Sequence, residues 1–414
     1  MRAHLALMFA MLLIPAARVG HGAAVVGPPR LLDNTGRYGT AIAINNFGYV
    51  TGWHVAEDGN DYRAFVWTEF SGLVDIGTLG GAGSEGFDVN DRGQVIGWAE
   101  TPDGAMHGFI WTHSTGMRDL GPWAEFSPSA INNFGVIAGS LNRQAALRMP
   151  DGSFYPLGTL GGATSVALDI NDRGEVVGTS TFGPGPYGTH PFYWSAETGM
   201  IDIHQPGTPD GGATRINNRG EVAGYIEPDF ARGFPFQAYV YTWTRDGGTM
   251  NIGGYPGGFI DGTDYGNVFG LNSLGQVVAT STYPGDEITR QLLWSGGAGP
   301  FVMAESGEPS LSHMGINDVG EIAGSTQGPA GGTTAAVWMT VLTSEQRADS
   351  LRALVEGLAL RGALRHQDAR VLMRKASDDD RFAKHVAALV RSGRLSAGDG
   401  WLLARAILVH ARAQ

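Results

Sequence analysis

There is no cysteine among the 414 residues, which excludes disulfide staples and thiolate metal sites. Lysine is nearly missing too, with only Lys375 and Lys384 present, both close to the C-terminus. The net charge of −12 is uneven: residues 343–414 hold 13 Lys+Arg against 8 Asp+Glu, leaving the rest of the chain at −17. An acidic, lysine-free body does not suit a phosphate backbone, so nucleic acid is excluded as a partner. No apolar run reaches the ~20 residues that span a bilayer. The run from Leu5 to Ile14 follows Arg2 and precedes Gly22-Ala23-Ala24. Residues 1–24 therefore read as a cleaved secretory signal. The last fourteen residues, WLLARAILVHARAQ, are broken by Arg405 and Arg412 and read as a soluble helix rather than a stable membrane anchor.

Motifs of chemistry are sparse as well. No HxxxH or HExxH spacing occurs, and there is no GxSxG. The match to GxGxxG at 81–86 opens a strand rather than a helix, so it offers no helix N-terminus to a pyrophosphate. Asp88-Val-Asn90-Asp91-Arg-Gly93 and its copy at 169–174 look like short calcium loops. However, the first Asp is Ala43, Ala130, Arg215, Gly270 or Gly315 in the other copies, and turn chemistry accounts for the Asn and Gly in all of them. No catalytic residue, metal ligand or cofactor is assigned.

What the chain has in abundance is glycine, 64 residues without a collagen period, and one phrase repeated. GFDVNDRGQVIGW (86–98) reads as two short strands around the turn Asn90-Asp91-Arg92-Gly93. The Asn side chain can accept a backbone N–H two residues on, and the Gly takes positive φ. Six further copies place the turn asparagine at Asn45, Asn132, Asn171, Asn217, Asn272 and Asn317, at spacings of 45, 42, 39, 46, 55 and 45. A third strand ends in Trp (Trp67, Trp111, Trp194, Trp243, Trp294, Trp338), except in the third copy, which reads AALRM (145–149). A fourth reads LVDIG (73–77), MRDLG (117–121) or MIDIH (200–204).

Four strands in about 45 residues match one propeller blade, and stacked blades cover each other's faces. The expected fold is a seven-bladed β-propeller of four-stranded antiparallel blades over residues 25–341, with a more open β-solenoid as the alternative. The Trp and Val positions are expected to form the core between blades. The last copy lacks a fourth strand, while Leu31-Leu32-Asp33 resembles Leu73-Val74-Asp75. The N-terminal segment is therefore expected to close the ring as the outer strand of the last blade.

Residues 342–414 change character. Leu351, Leu354, Val355 and Leu358 make a helical stripe, Thr343 with Gln346 a capping box, and Gly362 a stop. The stretch 355–376 repeats at 386–407, offset by 31, which predicts a duplicated helical hairpin and an all-α bundle of about four helices. Asp378-Asp379-Asp380 suits the start of its third helix.

The phrases DIGTLGG…FDVNDRGQVIG…HGFIW and PLGTLGG…ALDINDRGEVVG…PFYW resemble the HAF repeat of bacterial extracellular proteins, over residues ~38–340. The tail, through LVEGLALRGAL (354–364) and LVRSGRLSAGDG (389–400), resembles the FIMAH module that follows extracellular domains, with the usual apolar residues altered at Phe382-Ala383-Lys384-His385. The resemblance implies export and a surface setting, and no reaction.

Eight residues after the turn Asn stand Trp53, Trp98 and Tyr225. They are expected on the face that also carries the longest insertions, with Tyr187, Phe230, Phe234, Phe236, Tyr255, Phe259, Tyr265 and Tyr283 among Gly, Pro and Asp. Aromatic faces beside acids and amides suit a sugar or a peptide. The sequence thus points to a secreted, non-enzymatic recognition or adhesion protein. Its expected partner is an extracellular polysaccharide or a surface protein, held through Trp53, Trp98 and Tyr225. A carbohydrate-active enzyme with its carboxylates on that face, and a structural matrix component, are the alternatives. Packing of Trp53 and Trp98 against neighbouring loops is the plainer account of those positions.

Overall fold

A computed structural model describes residues 27–33, 38–56, 59, 61–183, 188–208, 210–226, 239–253, 268–282, 289–295, 298–306, 314–328 and 333–412. Each phrase forms two strands and each unit a blade. Blade 1 is β2 (Gly39–Ile44), β3 (Val50–Val55), β4 (Tyr62–Thr68) and β5 (Gly72–Asp75), paired antiparallel in that order. Blade 2 is β6 to β9 (Ser84–Val89, Val95–Glu100, Met106–Thr112, Gly116–Pro122). Blade 3 is β10 to β13 (Phe126–Ile131, Ile137–Leu141, Gln144–Arg148, Phe154–Gly158) and blade 4 is β14 to β17 (Gly161–Ile170, Val176–Phe182, Thr189–Ser195, Gly199–Asp202). Blade 5 is β18 to β21 (Gly211–Ile216, Val222–Ile226, Tyr239–Thr244, Gly248–Gly253) and blade 6 is β22 to β25 (Val268–Leu271, Val277–Thr282, Thr289–Ser295, Ala298–Ser306). Seven separate four-stranded sheets result, as the repeat count requires. Blade 3 is the shortest because β11 (Ile137–Leu141) turns into β12 (Gln144–Arg148) through Asn142 and Arg143, both at positive φ, with no inserted loop.

The seventh blade is closed by the N-terminal segment. It consists of β26 (Gly315–Ile316), β27 (Glu321–Gln327), β28 (Thr333–Met339) and β1 (Arg30–Leu31), in the order β1-β28-β27-β26; β1 pairs antiparallel with β28, Arg30 opposite Val337 and Leu31 opposite Ala336. The bonds from Gly27 N to Met339 O and Leu32 N to Ala335 O, both 3.0 Å, extend that pairing at either end.

The core lies between blades. One apolar cluster fills each of the seven interfaces, and the predicted Trp positions sit in them: Trp67, Trp194, Trp243, Trp294 and Trp338 are all buried. Trp111 packs at the edge of the cluster between blades 1 and 2. A lone four-stranded sheet would leave these rings in water. A fully buried large apolar side chain is worth about 1.5–3 kcal/mol.

The innermost strands carry a bulge in blades 1 to 6, where the register shifts between Ala41/Ala43, Gly86/Asp88, Pro128/Ala130, Ala167/Asp169, Ala213/Arg215 and Val268/Gly270. A bulge sharpens twist and re-aims side chains. Here two successive inner-strand residues line the axial cavity in blades 1 to 4 and 6, and Arg215 does so in blade 5.

Four helices follow: α1 (Ser344–Leu360), α2 (His366–Lys375), α3 (Asp379–Arg391) and α4 (Ala397–Arg412). Thr343 caps α1 in a reciprocal box with Gln346, and Asp378 caps α3 by accepting from Arg381 N. The duplication holds in three dimensions. Gly362 and Gly393 both end a helix at positive φ, and Leu358/Leu389, Leu364/Leu395 and Leu372/Leu403 all enter the module's core. Among the described residues no helix is long and apolar enough to cross a membrane.

Candidate functional site

The turn asparagines meet around the axis. The Oδ1 of each accepts two backbone N–H groups of its own turn, in blade 2 those of Arg92 (3.1 Å) and Gln94 (3.0 Å). This leaves Nδ2 pointing outward to the next blade. Asn45 donates to Asn90 O, Asn90 to Asn132 O, Asn132 to Asn171 O, Asn171 to Asn217 O, Asn217 to Asn272 O, Asn272 to Asn317 O and Asn317 to Asn45 O, at 2.7–3.2 Å. Seven buried side chains thus form one closed ring. The Gly three residues on takes φ between +70° and +82° in every copy, as the turn reading requires.

The residues that follow these asparagines form a second ring, bonded at six of its seven steps among the described residues, the step from Asn218 to Ser273 being the exception. Asn46 N donates to Asp91 Oδ1 and Asp91 N to Asn133 Oδ1. Asn133 N donates in turn to Asp172 Oδ1, Asp172 N to Asn218 Oδ1, Ser273 N to Asp318 Oδ1 and Asp318 N to Asn46 Oδ1. Burial pushes the carboxyls of Asp172 and Asp318 upward from the usual range. Two cavities of about 160 Å³ each lie along the axis. The lower is bounded by the two rings, and the upper holds Asp88, Asp169 and Arg215 among Ile42, Phe87, Leu168 and Phe269. The oxygens of the calcium-like phrase are used differently: Asp88 accepts from Val89 N and Ile131 N, both at 2.8 Å.

The helical module sits on the turn face, over these rings. Arg361 Nη1 reaches Asp91 Oδ2 at 2.8 Å. Arg405 grips both oxygens of Glu321 at 2.7 Å and donates to Asn46 O. Ser350 bonds Asp318 O, and Gln346 bonds Ser295 Oγ. Val319 belongs to the module's own core, and Phe47 stacks on Trp401 at 6.1 Å. Neither arginine stands out from its neighbours in sequence. The available signal was apolar residues at a turn tip, Phe47 and Val319, where three other copies have exposed Arg92, Arg173 and Arg219.

The opposite face carries the three aromatic candidates at its margin. Trp53 is half-buried and meets the exposed ring of Tyr62 edge-on at 4.8 Å. Trp98 is half-buried, lies against Gly83, and donates Nε1 to Glu85 Oε2 at 2.9 Å. Burial raises the Glu85 carboxyl, against the lowering effect of that bond. Tyr225 sits deeper, 8% exposed, with its ring edge toward Gly212. The three stand in blades 1, 2 and 5, so the structure does not gather them into one contact. Tyr62 and Glu85 join Trp53 and Trp98 there, and sequence reasoning missed both. The aromatic insertions Tyr187, Phe230, Phe234, Phe236, Tyr255, Phe259, Tyr265 and Tyr283 lie outside the described residues.

Two histidines of the third strand are pins. His107 Nδ1 bonds Asp119 at 2.9 Å and His190 Nδ1 bonds Asp202 at 2.7 Å, tying strand three to strand four. Each Asp also accepts a backbone N–H two residues on, Gly121 or His204. The recurrence of H-x-F with x-D-[IL] was the signal for this.

A comparison with protein families finds no match, and a comparison with curated protein sequences finds none either. Solved structures share the propeller. TolB from Acinetobacter baumannii is 12% identical over 63% of this chain and 61% of its own, with a TM-score of 0.41. This chain thus spans about six tenths of that protein's length. The β-propeller domain of the Trilobed protease from Pyrococcus furiosus is 11% identical, covering 73% and 95%, at 0.48. The BP39L lectin from Burkholderia pseudomallei is 11% identical, covering 72% and 94%, at 0.42. At these values the likeness is one of fold alone.

Proposed function

We propose that this is an exported recognition protein, of the HAF-repeat kind with a FIMAH-like module, that takes its ligand on the face opposite its helices. One observation carries the reading. The module occupies the turn face through Arg361 and Arg405, so an approaching ligand meets the loop-bearing end. There Trp53 with Tyr62, and Trp98 with Glu85, offer apolar ring surface beside hydrogen-bonding groups, the combination a pyranose ring or a peptide side chain needs. Tyr225 supports that face from beneath. An extracellular polysaccharide or a surface protein is the proposed partner.

A second reading has a specific observation in its favour. Glu85 is a carboxyl raised by burial at the same face, as a general acid in glycoside hydrolysis is. One experiment separates the two. The purified full chain is incubated with a panel of polysaccharides, and both retention and reducing ends are measured. Retention without new reducing ends supports recognition. Turnover that Glu85→Gln abolishes supports the enzyme, and neither retention nor turnover removes both readings for glycans.

A further inference from the structure

The upper axial cavity carries charge from only three of the seven blades, and each of those side chains also bonds the backbone of the next blade. At one and the same strand position, blades 1, 3, 6 and 7 have Ala43, Ala130, Gly270 and Gly315, and these blades close without a polar group there. Blades 2, 4 and 5 instead place Asp88, Asp169 and Arg215 in the cavity lining. Each carboxylate oxygen takes one backbone N–H: Asp88 from Val89 and Ile131, Asp169 from Ile170 and Ile216, all at 2.8 Å. A carboxylate has about four acceptor sites, so each retains capacity toward the cavity. Arg215 is held by Phe269 O (2.6 Å) and Thr214 O (2.7 Å); its charge lowers both acids, and Asp169 is the one bonded to its neighbour in sequence, Ile216 N. Two acids thus face one cation. Ser129, in the intervening blade 3, adds a hydroxyl to the lining. Asp88, Ser129 and Asp169 form an arc of three acceptors on consecutive blades, with the guanidinium at its end.

We propose that this cavity binds a primary ammonium group, carried by a ligand whose inserted part is no larger than about six heavy atoms, with Asp88 as the main acceptor. An alkylammonium has three donors and no acceptor, which matches the arc. A divalent metal asks for six or more oxygens, and among the described residues no three His, Asp or Glu side chains form a metal-binding group. Phe87 and Phe269, with Ile42 and Leu168, give the carbon part an apolar wall. Asp88 rather than Asp169 leads because Arg215 already offsets Asp169. An added cation also favours the ionised form of both acids: burial raises the Asp88 carboxyl and holds that of Asp169 up at about 7. Binding near neutral pH therefore releases protons.

The test is titration calorimetry of the full chain with ethylammonium chloride, against sodium chloride at matched ionic strength. The expected result is saturable binding for ethylammonium alone, with heats that vary with the buffer's ionisation enthalpy. Asp88→Asn should weaken it about tenfold, the loss of one charge-assisted contact. Arg215→Gln should tighten it by removing a like charge, an opposite sign that general damage to the fold would not give. If Asp88→Asn fails to fold, Arg215→Gln alone decides. No saturable binding beyond that of sodium, unchanged binding by a folded Asp88→Asn, or weaker binding by Arg215→Gln would overturn the proposal. The probe is read directly, so the result is independent of glycan retention on the face above.

Discussion

Asn317 donates its Nδ2 to the carbonyl oxygen of Asn45 at 3.0 Å, a buried hydrogen bond between residues 272 apart in sequence. It is the last of seven equivalent bonds, and it turns a row of blades into a ring. Removing the amide strands a buried carbonyl and two turn N–H groups. Asn317→Ala should therefore cost about 1–3 kcal/mol, read as a fall in the urea midpoint of the whole propeller. A loss confined to blade 7, with the other six melting as before, would mean that the ring is not cooperative.

The second closure device is β1. Deleting residues 25–36 removes the outer strand of blade 7 and uncovers the edge of β28. The melting temperature should drop sharply and the protein should self-associate, since an open strand edge is a template for pairing. An unchanged melting curve would refute closure by the N-terminal segment.

Docking of the helical module can be tested at Gly48. A Cβ there would clash with the Arg405 guanidinium, whereas one at the equivalent Gly174 meets nothing within 4 Å; both sit at φ +75°. The backbone strain of an alanine is then common to the two and only the clash differs. Gly48→Ala should displace the Arg405 guanidinium and loosen the module, seen as faster proteolysis between residues 339 and 345 than in Gly174→Ala, which should cost only the ~1 kcal/mol of a left-handed alanine. Removing Arg405 itself leaves Glu321 buried and unpaired, a change of roughly 3–5 kcal/mol.

Two groups give opposite pH dependences. His410, in α4, is pushed down to about 4 by burial, and its ring nitrogens have no hydrogen-bond partner among the described residues. Its folded value lies below the unfolded one, so the unfolded module binds the extra proton and stability is lost as pH falls from about 6.5 towards 4. Asp169 is raised from 3.8 to about 7 by burial. There the folded state binds the extra proton, and stability is lost as pH rises from about 4 to 7. His410→Leu should reduce the module's acid lability, leaving the part due to His385, which burial also lowers. Asp169→Asn should gain on the wild type with rising pH, by at most about 1.4 kcal/mol per unit. Parallel stability curves would contradict both assignments.

Local features were legible in the sequence because local chemistry fixes them. The Asn–Gly turn, the Trp of the third strand, the capping box at Thr343 and the duplicated stops at Gly362 and Gly393 each follow from a few neighbouring residues. Closure by Leu31-Leu32 was legible because the phrase matches Leu73-Val74. What was not legible depends on residues brought together by ring geometry. The outward amide of Asn45 has a partner only once blade 2 is placed beside it. Asp88 and Arg215 share a cavity only because the blades from the second to the fifth bend them round one axis. Arg361 and Arg405 look like any surface arginines until α1 and α4 are laid over blades 1, 2 and 7. Trp53 and Trp98 were found by spacing alone, which says nothing of Tyr62 or Glu85 beside them.

The most direct measurement is retention of three purified proteins on the polysaccharide or matrix that holds the wild type: the wild type, Trp53→Ala/Trp98→Ala, and Arg361→Gln. With all three folded, retention should be lost in the double variant and kept in Arg361→Gln. Retention that survives without the two tryptophans, and fails when Arg361 no longer holds Asp91, would put the ligand on the helical side and contradict the placement.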